Sequence, residues 1–203
     1  LILIPIFMFF FLYYRTFFAD FLSKVFPSAN EETLRGIMTK TGEVVQDYLV
    51  GLLVVMFVVA CANSIGFWWI GVDYPIFFGI LTGLLLIIPY IGIWAGATLP
   101  IILSLATLSP SHALAIVAWV AAVQFIEANF VTPLVIGSKV SINPMVAMLA
   151  LLGGELLWGI PGLILAIPFT AIIKVIFDHV PAMQPYGFLL GEAPKRPKGT
   201  KAP

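Results

Sequence analysis

Charge is scarce in this sequence, and so are the residues that bind metals or form crosslinks. Only 10% of its 203 residues are Asp, Glu, Lys or Arg, against about 25% in soluble domains. That shortage excludes an ordinary soluble globule. There are two histidines and one cysteine. Cys61, inside an apolar run, has no intrachain disulfide partner and reads as a small apolar filler. His112 and His179 have no metal-ligand company, so no metal and no cofactor is expected. A net charge of zero gives no support for attraction to nucleic acid. The patterns G-x-x-x-x-G-K-[ST], H-E-x-x-H and G-x-S-x-G are all missing. These residues therefore carry no P-loop ATPase, and no zinc protease or serine hydrolase of those types; no enzyme is read here.

What the chain does have is apolar length. It is 61% hydrophobic, with a mean hydropathy of +1.09, and several runs approach the ~20 residues that cross a bilayer. A transmembrane barrel would instead show short alternating segments. The composition predicts an all-α integral membrane protein, a polytopic helix bundle in contact with the lipid bilayer. Residues 1–18 lack the basic start and small-residue cleavage site of a signal peptide. They read as the end of a membrane helix, so residues 1–183 are expected to be a transporter-like membrane domain incomplete at its N-terminus. Residues 184–203, with Pro185, Pro194, Lys195, Arg196 and Lys198, read as a flexible basic tail.

Residues 19–46 are the long polar stretch before that tail. Ser28 and Glu31 form a possible capping box, followed by apolar residues near helical spacing. This segment is either a helix on the membrane surface or an ordinary cytosolic connector. Tyr48–Ile70 is a clean span, with Trp68 and Trp69 near its far end, as interfacial aromatics often are.

Two later stretches are broken by proline and glycine in nearly one rhythm. The first runs Pro75, Gly83, Gly92, Pro100 and the second Pro144, Gly153, Gly162, Pro168, with offsets of 8, 17 and 25 against 9, 18 and 24. Each reads as a helix, a break and a return helix. In the first, residues 76–88 and 93–107 give roughly 20–22 Å each at 1.5 Å per residue, short against a ~30 Å hydrocarbon core. Residues 113–130 span once more, a linker covers 131–143, and the second hairpin covers 144–178. The breaks are assigned to Pro89, Gly92, Pro133, Pro144, Gly153, Gly154 and Gly162.

The basic residues test this arrangement. If each hairpin returns to the face it left, Arg15, Lys24, Arg35, Lys40, Lys139, Lys174, Lys195, Arg196, Lys198 and Lys201 all fall on one side. That is every Lys and Arg in the chain, and the positive-inside rule makes the side cytoplasmic. One span between the hairpins then gives them opposite orientation, an inverted repeat.

The polar cluster Gln124, Glu127 and Asn129, followed by Thr132 and Pro133, carries the strongest chemical signal. Gln124 and Glu127 share a helix face, and a carboxyl at membrane depth is a functional hypothesis by default. It can bind a cation, accept a substrate hydroxyl or carry a proton. The bland alternative is a place near the cytoplasmic headgroups or a pairing with Lys139. Glu155, after Gly153 and Gly154, is either near freed backbone groups at a helix break or simply solvated. Tyr90 offers a hydroxyl to a substrate or anchors at an interface. Asn143 is a helix cap or a ligand. Asn63 reads as an interhelical hydrogen-bonding residue. Gly79-x-x-x-Gly83 and Gly92-x-x-x-Gly96 speak for close helix packing.

Several stretches together resemble the autoinducer-2 exporter (AI-2E) family. They are Tyr48–Gly51, Leu86–Gly92, Gln124–Asn129, Pro133–Gly137, Asn143–Pro144, Gly153–Gly154, Gly159–Gly162 and Ala166–Pro168. The resemblance runs from about residue 30 to residue 180. It implies a permease of a prokaryotic inner (plasma) membrane that exports a small polar solute. In one branch that solute is the quorum-sensing signal autoinducer-2; other branches look like sodium- or lithium-proton antiporters. It also implies a homo-oligomer, an elevator-like movement and further helices before this region. Asn143 stands where the family often has His, and Glu155 where it is usually apolar. The expected function is a secondary transporter working by alternating access on a small-molecule substrate, with H+ or Na+ as coupling ion. The alternatives are a sodium(lithium)/proton antiporter, and a channel or structural membrane scaffold.

Overall fold

The structure, a computed structural model, describes residues 3–25, 31–89, 91–137 and 142–192. They are almost wholly helical, and the protein is a polytopic helical membrane protein. Helix α1 (Leu3–Tyr13) leads through Tyr14 into α2 (Arg15–Val25), so the first helical stretch runs past residue 18. Helix α3 (Glu31–Ile70) is one rod of 40 residues, about 60 Å long. The polar segment and the span behind it are thus continuous. Ser28 of the proposed capping box lies outside the described residues.

A single stripe explains why α3 stays intact. Ile37, Val44, Tyr48, Val55, Val59, Asn63 and Phe67 are all buried, at alternating steps of seven and four and then four, which keep one face of an α-helix inward. Leu53, Phe57 and Trp68 on other faces are exposed, as bilayer-facing residues are. Among the described residues, three helical stretches are long and apolar enough to cross a membrane: Glu32–Ile70, Pro110–Ile136 and Ile160–His179.

The first hairpin is α4 (Pro75–Leu85) and α5 (Gly92–Thr107). Its tip closes on itself. The amides of Leu86, Ile87 and Ile88 donate to the carbonyls of Gly83, Leu84 and Leu85, and Gly92 N–H donates to Ile88 O at 3.0 Å. Internal bonds of this kind let a break sit at membrane depth. The small-residue spacings mark close crossings. A Cβ on Gly79 would lie 2.5 Å from Ser64 N in α3, and one on Gly96 would lie 2.6 Å from Thr82 Cα in α4.

Helix α6 (Pro110–Ile126) does not end where the sequence predicts a linker. It continues as π-helical turns over Glu127–Val131 and Pro133–Gly137. Pro133 has no amide for the Asn129 carbonyl, and its ring crowds that carbonyl. Here proline widens the helix instead of breaking it.

The second hairpin is α7 (Pro144–Trp158) and α8 (Ile160–His179). Its turn is at Gly159, which has φ +65°, a conformation L side chains avoid. Gly153, Gly154 and Gly162 are therefore inside helices and are not breaks. Gly154 and Gly162 instead let α7 and α8 touch: a Cβ on Gly162 would lie 1.8 Å from Gly154 O. At 20 residues, about 30 Å, α8 is long enough to cross on its own.

The expected tail begins as structure. After a short 3-10 turn (Pro181–Met183), helix α9 (Gln184–Leu190) folds back, and the Asn143 amide donates to Leu190 O at 2.8 Å. Pro185 is in the first turn of α9, where its missing amide costs nothing. Residues 193–203 lie outside the described residues. Asn63 is fully buried, and its side-chain amide has no hydrogen-bond partner among the described residues, so the interhelical bond expected of it is not formed among them.

Candidate functional site: a buried carboxylate between the hairpins

Glu127 is 8% exposed and sits at the start of the π-helical stretch. Gln124 Nε2 donates to its Oε2 at 2.6 Å, and the Thr132 hydroxyl donates to its Oε1. Thr132 N–H also donates to Glu127 O, the i to i+5 bond that defines a π turn. That turn brings residues five apart onto one face. In an α-helix Thr132 would point well away from Glu127. The sequence pattern sets Thr132 beside the cluster without a reason to place it on the carboxylate; Pro133, assigned there as a break, was the available signal that the helix departs from α geometry.

The carboxylate opens on a cavity of about 360 Å³. Its walls come from α3, the tip of the first hairpin, α6 with its π-helical continuation, and the second hairpin. Helix α3 gives Tyr48, Leu52 and Val55; the first hairpin's tip gives Leu86, Ile87 and Pro89; the second hairpin gives Ala147, Leu151 and Ile167. Gln124, Glu127, Ala128, Thr132 and Ile136 complete it. Glu127 is the one charged residue in that lining. Gln124 Oε1 is buried and has no partner among the described residues, so it adds an acceptor beside an acid already bound by neutral donors. The site suits a cation or a solute rich in hydroxyl or amine donors. Helix α6 has 17 residues, so Glu127 lies roughly 25 Å along the helix from Pro110, about two thirds of the way along the apolar rod Pro110–Ile136.

The other predicted residues are distributed differently. Asn129 is exposed, and its Nδ2 donates to Phe125 O at 2.8 Å, away from Glu127. Asn143 caps α7: its Oδ1 accepts from the Met145 amide at 2.9 Å. Pro144 occupies the first turn of the same helix. Glu155 is exposed and borders a neighbouring cavity with Pro89. Gly92 starts α5 under the tip, where a Cβ would lie 1.7 Å from Leu85 O. Tyr90 lies outside the described residues. Among the described residues, no three His, Cys, Asp or Glu side chains converge as a metal would require. Tyr48, which lines the cavity, went unrecognised because at the head of a span it resembles an interfacial anchor. Its spacing to Leu52 and Val55 was the readable clue.

Comparison with known proteins places relatives beside this chain. The model of the AI-2E family transporters matches residues 1–182. YrrI of Bacillus subtilis is 40% identical over 133 residues, covering 66% of this chain and 37% of its own length. YueF of the same bacterium is 30% identical over 180 residues, covering 89% and 48%. A Borreliella burgdorferi protein is 26% identical over 172 residues, covering 84% and 48%. The names of all three assign them provisionally to transport. The chain spans less than half the length of each.

Proposed function

The chain belongs to the AI-2E transporter family, and on that premise we propose that it is part of a secondary transporter of the plasma membrane that exports a small polar solute by alternating access. The observation that carries this reading is Glu127: a buried acid bound by neutral donors, on a cavity walled by both hairpins and the two long helices beside them. A channel would need a continuous polar pore, and a scaffold would need no cavity. Both hairpins reach the cavity, the first at its tip and the second along α7 and α8, which supports hairpins entering from opposite faces. The placing of every basic residue on one side supports a cytoplasmic C-terminus. The family supports a homo-oligomer.

Saturable counterflow by the full-length protein in proteoliposomes tests the class. A transporter exchanges labelled solute against an internal excess. A channel passes solute downhill without exchange, and a scaffold passes nothing.

A sodium(lithium)/proton antiporter is the second reading. The unpartnered Gln124 Oε1 on the residue that binds Glu127 favours it, since hard cations take carboxylate and amide oxygens as ligands. Sodium-driven movement of protons in vesicles without organic solute would establish it; vesicles silent to sodium and lithium would remove it.

A further inference from the structure

The Glu127 cavity has a neighbour. A second cavity of about 340 Å³ is bounded by Pro89, Ile91, Met148, Leu152, Leu163 and Glu155, together with Leu151. Pro89 and Leu151 border both cavities. Leu151 is only 7% exposed and packs with Leu163 and Ala166 of α8, and Ile88 from the tip of the first hairpin packs against the same group. Apolar side chains from the two hairpins thus divide one space from the other.

Glu155 lies eleven residues into α7, roughly 16 Å of helix. A helix starting at one interface puts that residue near the middle of a ~30 Å hydrocarbon core. Among the described residues, the lining apart from Glu155 is entirely apolar. A carboxylate at such depth is retained where it faces a water-filled cavity or protein, and such groups mark solute paths. The volume admits several waters, whose share of liquid is about 30 Å³ each.

We infer that the two cavities are successive compartments of one solute path, with Leu151 and Pro89, which border both, as the plug between them. Glu155 makes the second compartment selective for cationic and donor-rich solutes over anionic ones. This inference rests on the transport reading of the Glu127 cavity. It adds a second compartment, a divider and a charge filter to it.

Thiol labelling tests it in the full-length protein, in proteoliposomes and in a cysteine-free background that includes Cys61→Ala. Leu52→Cys reports on the Glu127 cavity and Met148→Cys on the Glu155 cavity. The probes are the cationic reagent MTSET and the anionic reagent MTSES. Leu151→Ala should speed MTSET labelling of Leu52→Cys several-fold and Leu151→Trp should slow it, with Met148→Cys unchanged in both. Leu151→Met, which keeps the volume, should return parent rates and so separates plugging from misfolding. Glu155→Gln should cut the preference for MTSET over MTSES at Met148→Cys by roughly tenfold, the scale of charge focusing in a low-dielectric cleft. Labelling of Leu52→Cys that ignores the size of residue 151, or that shifts equally at Met148→Cys, overturns the divided path. An unchanged reagent preference in Glu155→Gln overturns the filter. Labelling does not require transport, so a loss of counterflow cannot be mistaken for either result.

Discussion

Glu127 receives both of its side-chain hydrogen bonds from uncharged groups, Gln124 and Thr132. Removing one such donor while keeping its shape leaves the acid underbonded at low dielectric. Hydrogen bonds to charged groups are worth about 1.5–3 kcal/mol, roughly ten- to a hundredfold in an equilibrium constant. Thr132→Val should therefore weaken half-saturation in counterflow by at least about tenfold, and Thr132→Ser should restore most of it. Equal half-saturation in the parent and Thr132→Val would remove the threonine from the site. The pairing of Gln124 with Glu127 was legible because three-residue spacing shares an α-helical face. Thr132 was not, because five-residue spacing shares a face only in a π turn. Asn129 shows the converse: it looked like part of the cluster, yet it bonds its own helix backbone.

The π-helical stretch and the second hairpin are elements whose behaviour turns on single residues. Pro133→Ala supplies the missing amide to Asn129 O. The helix should then tighten to α geometry, swinging Thr132 off Glu127. Proline inside a helix costs about 3 kcal/mol, so the variant should melt higher in detergent while losing counterflow. A variant that melts higher and transports normally would show that the π turn is dispensable. In α7 and α8 the glycines differ sharply. Nothing lies within 4 Å of a Cβ on Gly153, whereas one on Gly154 would lie 2.4 Å from Gly162 O. Gly153→Ala should be neutral or gain up to about 1 kcal/mol from helix propensity. Gly154→Ala and Gly162→Ala should destabilise strongly, because backbone has nowhere to move. Thermal melts of the three variants check the order. The same contrast explains a misread boundary. In the first hairpin Pro75 begins α4, Pro89 lies in the tip and Gly92 begins α5. In the second, two glycines serve a close crossing, and only backbone geometry shows that Gly159 makes the turn.

Across the whole molecule, charge and cavity position point the same way. If each hairpin returns to its starting face, all ten basic residues gather on one side, and both hairpins border the Glu127 cavity. Single cysteines at Lys174 and Glu192 should react with a membrane-impermeant maleimide from the cytoplasmic side, and one at Ser111 from the opposite side. Labelling of Lys174→Cys and Ser111→Cys from the same side would break the inverted arrangement. Membrane class was readable from composition alone, because a bilayer imposes its solvent on every exposed face. The cavity was not readable, since five separate stretches of chain meet there.

Counterflow by the parent protein, Glu127→Gln and Glu127→Asp, reconstituted in equal amounts, tests most directly whether the buried carboxylate is the solute site. Saturable exchange is predicted for the parent, reduced exchange for Glu127→Asp, and exchange no greater than empty liposomes for Glu127→Gln with its fold intact by thermal melt. A well-folded Glu127→Gln protein that exchanges solute at the parent rate and half-saturation would contradict it.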